Sequence, residues 1–308
     1  MRGLSERSQS KGILYAILSY GIWGILPLYW KVLKQIGAGE ILASRIVWSF
    51  VVSLLILLII GGFKDLRKAL SNGKTILTVS LGALFITVNW FTYIWAVNSN
   101  RVIETSLGYY INPLFTVLLG VIILKERIDR WQIAALLLAL LGVILITVQY
   151  GEIPWVSLLL AISFGLYGLV KKLSNLTSIV ALTMETMIIT PLALGYVVYN
   201  QVQGTSSLVS LPLSVLILVV LTGVATAIPL LLFAQAAKCL PLSTLGFFQY
   251  LAPSIALLLG IFLFKEEFSK VDFISFGLIW MALGIYSFSR KEFLNSRFNK
   301  RLLRFSRV

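Results

Sequence analysis

Apolar stretches long enough to cross a bilayer follow one another along this chain, parted by short polar breaks. A helix needs about 20 such residues to span the hydrocarbon core. The runs fall at residues 11–30, 39–60, 75–97, 104–124, 130–148, 154–170, 177–199, 211–234, 241–264 and 271–289. Hydrocarbon offers a peptide group no partner, so only helices and closed barrels traverse it. Barrel strands run to about ten residues with alternating polarity, whereas these runs are continuous. The sequence therefore predicts an all-α polytopic membrane protein of ten transmembrane helices. Only 12% of the 308 residues are charged, about half the fraction in a soluble domain. The breaks are too short to hold a separate soluble domain.

The excess of basic over acidic residues, 26 to 12, would suggest nucleic acid in a soluble protein. Here it is accounted for by membrane orientation, because cytoplasmic loops retain Lys and Arg. With the N-terminus inside, 20 of the basic residues lie on the cytoplasmic side, five lie opposite, and Arg45 falls within a span. Both termini are expected in the cytoplasm, and the first span is expected to remain uncleaved. The basic residues are scattered rather than gathered on one module, so no nucleic-acid partner is expected. The single cysteine, Cys239, and the lack of histidine exclude an intrachain disulfide, histidine relays and the usual metal and triad sites. No phosphate-loop motif occurs, so no nucleotide cofactor is expected. An intramembrane enzyme would need a catalytic constellation that the chain does not show.

The chain is also an internal duplication. YINPLFTVLLGVIILKE, from Tyr110 to Glu126, matches YLAPSIALLLGIFLFKE, from Tyr250 to Glu266, without a gap at an offset of 140. Earlier in each half, SYGIWG (Ser19–Gly24) matches SFGLYG (Ser163–Gly168). The expected units are two five-helix repeats at 1–150 and 151–289, followed by a basic tail at 290–308. Five is odd, so the second repeat crosses in the opposite sense, a plan that recurs in secondary transporters. The alternatives are a channel or a non-transporting sensor or scaffold.

The two repeats resemble the EamA domains of the drug/metabolite transporter superfamily. NWFTYIWAVNSN (Asn89–Asn100) followed by SLGYYINPL (Ser106–Leu114) is similar to the RarD branch, the chloramphenicol-sensitive proteins. The resemblance covers about residues 10–290. It implies a ten-helix basket around a central cavity in the inner or plasma membrane, and export or exchange of small organic solutes. It does not imply which solute. The chain is expected as a monomer or homodimer, with the proton a candidate coupling ion.

Glu185 stands alone in a stretch otherwise free of charge from Leu176 to Tyr199. A carboxylate near the centre of a spanning helix costs roughly 2.5–3.5 kcal/mol on insertion scales, so such a residue is a functional candidate. At the repeat offset of 140 it falls opposite Arg45, which makes Arg45 its candidate partner, either as a site or as a static pair. A second group is polar and aromatic. Asn89 and Tyr93 share a helical face, Trp90 and Trp95 flank it, and Tyr109, Tyr110 and Asn112 open the fourth span; Gln235, Gln249 and Tyr250 are the counterparts in the second half. Aromatic walls with a few placed amides suit a small organic solute, although packing would use the same residues. Trp30, Trp131 and Trp155 sit at span ends and are expected in interfacial belts. Pro113 and Pro253 recur at one repeat position and are expected to kink their helices. The Gly21/Gly24 and Gly165/Gly168 faces are expected to pack closely, and the Lys-Glu pair after each proline helix to anchor at the membrane edge.

Overall fold

The computed structural model describes residues 6–99, 101–150, 155–264, 270–271 and 273–286. The basic tail predicted at 290–308 and the second Lys-Glu pair, Lys265 and Glu266, lie outside them. Among the described residues the chain is helical, with no strand: α1 (Glu6–Val32), α2 (Ala38–Ile59), α3 (Phe63–Leu70), α4 (Gly73–Asn98), α5 (Val102–Ile122), α6 (Arg130–Tyr150), α7 (Trp155–Leu173), α8 (Ser178–Val202), α9 (Leu213–Cys239), α10 (Leu242–Gln249), α11 (Leu251–Leu259) and α12 (Phe273–Tyr286). The chain is a multi-pass membrane protein.

Ten spans were expected, and eight described segments are long and apolar enough to cross a membrane. The other two expected spans hold shorter apolar helices, Leu107–Ile122 within α5 and Phe273–Tyr286. Three local features depart from the sequence reading. The run at 63–70 folds as a short helix, α3, whose Leu66 and Ala69 are buried against Leu57 and Val79 while its charges point outward. The expected ninth span is broken at Tyr250 between α10 and α11. Pro253 has no N–H to offer the Gln249 carbonyl four residues back, so the ladder fails one turn before the proline. Pro113, its repeat counterpart, lies within an uninterrupted α5.

Lipid gives little hydrophobic drive for helices to associate, so close approach of small residues and interhelical hydrogen bonds hold the bundle. Large apolar side chains such as Leu58, Leu77, Leu137, Val148, Leu192 and Phe262 are exposed, while Ala16, Ala43, Ala83, Ala227 and Ala236 are buried. Ser19 donates to the Pro229 carbonyl (2.8 Å), tying α1 to α9, and Ser49 donates to the Gly223 carbonyl (3.3 Å), tying α2 to α9. Gly223 lets α9 lie directly against the Trp48 backbone, where any Cβ would collide. Gly246 does the same for α10 over α5, with the Pro113 carbonyl 2.8 Å from where a Cβ would stand.

The two ends of the bundle differ. At one end Glu40 of α2 accepts from the Ser206 hydroxyl (2.7 Å), the Ser207 amide (3.0 Å) and the Ser207 hydroxyl, and Trp95 packs on Trp155 (5.3 Å). This end carries the α1–α2, α4–α5 and α8–α9 connections. At the other end Glu126 accepts from the Leu242 amide (2.7 Å) and from the amide and hydroxyl of Ser243 (2.8 and 2.7 Å). Those bonds satisfy orphan donors at the start of α10 and place a negative charge where the helix dipole favours it. Lys125 takes a left-handed φ of 52° just before Glu126. The first Lys-Glu pair therefore joins the two halves of the chain at this end, beyond the edge-anchoring role expected of it.

Replacing Gly223 with Leu should force α2 and α9 apart, with an overpacking cost of about 1–3 kcal/mol. Gly195, which has open space around it, should accept Ala with a neutral to slightly positive effect of up to about 1 kcal/mol. Thermal melting of the purified protein in detergent checks both.

Candidate functional site

Between the halves lies a cavity of about 220 Å³. Each wall is a stripe with helical spacing: Tyr20, Trp23, Pro27 and Trp30 from α1; Asn89, Trp90 and Tyr93 from α4; Gly108, Tyr109 and Asn112 from α5; Leu160 and Phe164 from α7; Thr226 and Leu230 from α9. Arg45 of α2 adds the guanidinium, and Gln249, Ala252, Pro253 and Ala256 complete the wall from the broken α10–α11 helix. These residues occupy the half of the bundle nearest the α1–α2 and α4–α5 connections. On the other side Phe233, fully buried, gathers Tyr20, Trp23, Phe164 and Tyr167 around itself at ring separations of 5.3–6.2 Å. Beyond it the opposite end is filled. Gly12 abuts Cys239 and Leu240, and Lys172 Nζ donates to the Leu240 carbonyl.

Among the described residues Arg45 is the one charged side chain in the lining. Its Nε donates to Thr226 Oγ1 (3.1 Å), and its guanidinium carbon lies 4.8 Å from the Trp30 ring centre and 5.1 Å from that of Trp90. Indole faces attract a cation by about 2 kcal/mol or more when desolvated. The aromatics thus supply part of the solvation that the membrane interior withholds. Trp30, expected in an interfacial belt, is placed on this guanidinium because its helical position repeats the Tyr20–Trp23–Pro27 face. Trp131 and Trp155 stay on the outside, half exposed.

The amides are held by neighbours. Asn89 Nδ2 donates to the Leu160 carbonyl (2.9 Å) and Ser163 Oγ (3.0 Å), which fastens α4 to α7. The Thr116 hydroxyl sits 3.1 Å from Gln249 Oε1 and 3.3 Å from Asn112 Oδ1, linking α5 to α10 beneath the wall. The Tyr93 and Tyr109 rings meet at a tilt, 6.0 Å apart. Among the described residues no group of three or more His, Cys, Asp or Glu is placed to hold a metal.

The cavity brings together Arg45, Asn89, Trp90, Tyr93, Asn112, Gln249 and Pro253 from the residues expected on sequence grounds. Others it does not include. Glu185 pairs with Lys171 (Nζ to Oε2, 2.7 Å), not with Arg45, and Tyr167 Oη lies 3.3 Å away. Both charged side chains are almost fully buried, and Gly82 of α4 leaves room for the carboxylate, whose Oε1 would be 2.7 Å from a Cβ there. Glu185 lies in the first third of α8 (Ser178–Val202), near the filled end and within reach of the last turn of α7. The repeat offset equates it with Arg45 by position, but not by contact. Tyr110 points off the cavity stripe and meets Phe276 edge-on (4.9 Å), since one helical step turns a side chain by about 100°. Its neighbour Tyr109 takes the wall position. Tyr250 is buried at the helix break among Val117 and Ile279, and Gln235 is exposed on the outer face of α9. Nine residues separate Gln235 from Thr226, half a turn out of phase. Pro113 is buried behind the wall.

Sequence reasoning missed Lys171, Thr226 and Tyr20. Lys171 was counted with Lys172 as a loop cation. Its spacing of four from Tyr167 on α7, 14 residues before Glu185 across the α7–α8 connection, was the available signal. Nothing local marks Thr226.

The EamA-like transporter family matches residues 10–148. An uncharacterized transporter of Bacillus subtilis, YojE, is 48% identical over 294 residues, covering 93% of this chain and 97% of the relative. Protein RarD of Streptomyces exfoliatus is 43% identical, covering 91% and 89%. A solved crystal structure superposes with a TM-score of 0.70 at 19% identity, covering 90% of this chain and 97% of the other, which is a likeness of fold. The names in these comparisons are those of transporters, not enzymes.

Lys171→Met should strand the Glu185 carboxylate and cost about 3–5 kcal/mol, whereas Lys171→Met with Glu185→Gln should recover most of that loss. Arg45→Gln leaves no carboxylate stranded and should cost less than Lys171→Met. A double-mutant cycle on thermal stability tests the pair. A loss in the double variant equal to the sum of the losses in Lys171→Met and Glu185→Gln would show it uncoupled.

Proposed function

This chain belongs to the EamA-like transporter family, in the company of the RarD proteins, and we propose that it is a cell-membrane permease moving small organic solutes by alternating access. The observation that carries the reading is the cavity between the halves, lined toward one end and sealed toward the other by Phe233 and the Glu126, Lys172 and Leu240 contacts. A carrier caught with one gate closed has this form, whereas a channel needs a continuous path. Transport by exchange of two equivalent halves also gains support from the packing. Gly24 of α1 abuts Ile255 of α11, and Gly165 of α7 abuts Phe115 of α5. Phe115 and Ile255 are 140 positions apart, the repeat offset, while the glycines they meet differ by about one helical turn, since Gly21 is the counterpart of Gly165. Tyr109 and Gln249, at the same offset, both line the cavity.

On this reading ten segments cross the membrane, with α5 and α12 as the two short ones, and the excess of loop Lys and Arg places both termini in the cytoplasm. The sealed end is then cytoplasmic and the cavity faces outward. Glu185 lies at the sealed end, so it acts in holding that gate rather than in contacting solute.

Reporter fusions after Gly73, Lys172 and Arg290 should read cytoplasmic, and those after Gly151 and Gly204 extracytoplasmic. Single cysteines in a Cys239→Ser background test access. Tyr109→Cys should react with an impermeant thiol reagent added outside, while Gly168→Cys, which faces Phe233, should react only from the inside. Reaction of both from one side at equal rates would indicate a pore and sink the alternating-access reading.

A further inference from the structure

The cavity's charge points to the chemistry of its solute. Resting on the transporter reading above, we infer that the solute is an organic monoanion, a carboxylate on a small apolar or aromatic body, gripped by Arg45. Three observations support this. Among the described residues no Asp or Glu lines the cavity and no carboxylate pairs with Arg45. The guanidinium spends its Nε–H on Thr226, and neither Nη meets a protein acceptor. Trp30 and Trp90 hold it through their ring faces, contacts that use up none of its N–H donors on a protein acceptor. That fork matches a carboxylate with two parallel hydrogen bonds.

Further donors are unused nearby in the wall. Tyr20 Oη and Gln249 Nε2 are buried without a hydrogen-bond partner, and both residues line the cavity. Gln249 Oε1 is already met by Thr116, so the amide has its nitrogen left to donate. Unpartnered donors favour an acceptor-rich solute, because each buried one is costly until it is met. An ammonium group would find no carboxylate among the described lining residues and would be repelled by Arg45, which disfavours amines and zwitterions. One guanidinium balances a single negative charge, which disfavours dianions such as phosphate esters. The volume of about 220 Å³ is below the ~300–1,000 Å³ of pockets for drug-sized ligands. That favours a metabolite-sized acid whose body lies against Trp23 and Phe164, rings 5.7 Å apart.

The test uses the full-length protein in detergent and four probes of one shape: 3-phenylpropionate, its neutral amide 3-phenylpropanamide, zwitterionic phenylalanine, and cationic 3-phenylpropylamine. The readouts are quenching of tryptophan fluorescence, to which Trp30 and Trp90 contribute, and thermal stabilisation. We expect saturable binding of the acid at least tenfold tighter than of the other three. Arg45→Lys, which keeps the charge but loses the fork, should weaken the acid about tenfold, and Arg45→Gln should abolish its preference over the amide. Equal binding of acid and amide, preference for the amine or phenylalanine, or binding of none of the four overturns the inference. So does an acid preference that survives Arg45→Gln. If that variant does not fold, the acid–amide comparison on the unaltered protein and the Arg45→Lys variant decide. Cysteine accessibility does not depend on solute charge, so the alternating-access reading stands or falls separately.

Discussion

Hydrocarbon offers no partner to a peptide group and little comfort to a charge, and this structure is organised around both restrictions. The backbone answers by staying helical almost throughout the described residues and by capping exposed ends from elsewhere in the chain. Glu40 and Glu126 reach across to serine hydroxyls and to amide groups at opposite ends of the bundle. The side chains answer by sorting. Leucine, isoleucine and valine dominate the outside, while alanine, serine and threonine fill helix contacts where backbones must approach.

Two intramembrane charges are handled in different ways, and the difference separates scaffold from site. Glu185 is neutralised by Lys171 on a nearby helix, with Tyr167 alongside, and none of the three lines the central cavity. Arg45 receives no countercharge among the described residues. Two indoles and a threonine hydroxyl hold it in place, so its charge remains available to whatever enters. A buried ion pair contributes little net stability, because desolvation offsets attraction, yet losing one member is costly. A pair of that kind suits a closed gate. An uncompensated guanidinium suits a binding wall.

The halves share ancestry in sequence but have diverged where function concentrates. Tyr109 and Gln249 occupy one repeat position and both face the cavity, one as a phenol and the other as an amide. Pro113 sits in a continuous helix, whereas Pro253 accompanies a break that brings Gln249 and Ala252 to the wall. The break gives one side of the cavity an irregular backbone segment, tolerated at membrane depth because protein and cavity surround it.

Much of this protein was legible from residues 11–289 alone. Run length and polarity dictate membrane-spanning helices, because the bilayer sets a minimum apolar length that local composition reports directly. The site was legible only by helix, through clustered aromatics and amides, and the helical phase within each cluster was not. Tyr109 rather than Tyr110 lines the wall, and Trp30 leaves the expected belt for Arg45, because rotation about each axis is set by which neighbouring helix packs against it. The partner of Glu185 was equally hidden. A repeat offset equates positions along the chain, while an ion pair needs side chains to meet in space. Only the packing of α7 and α8 against α4, with Gly82 of α4 making room, decided that the glutamate meets Lys171 and that the arginine keeps its charge.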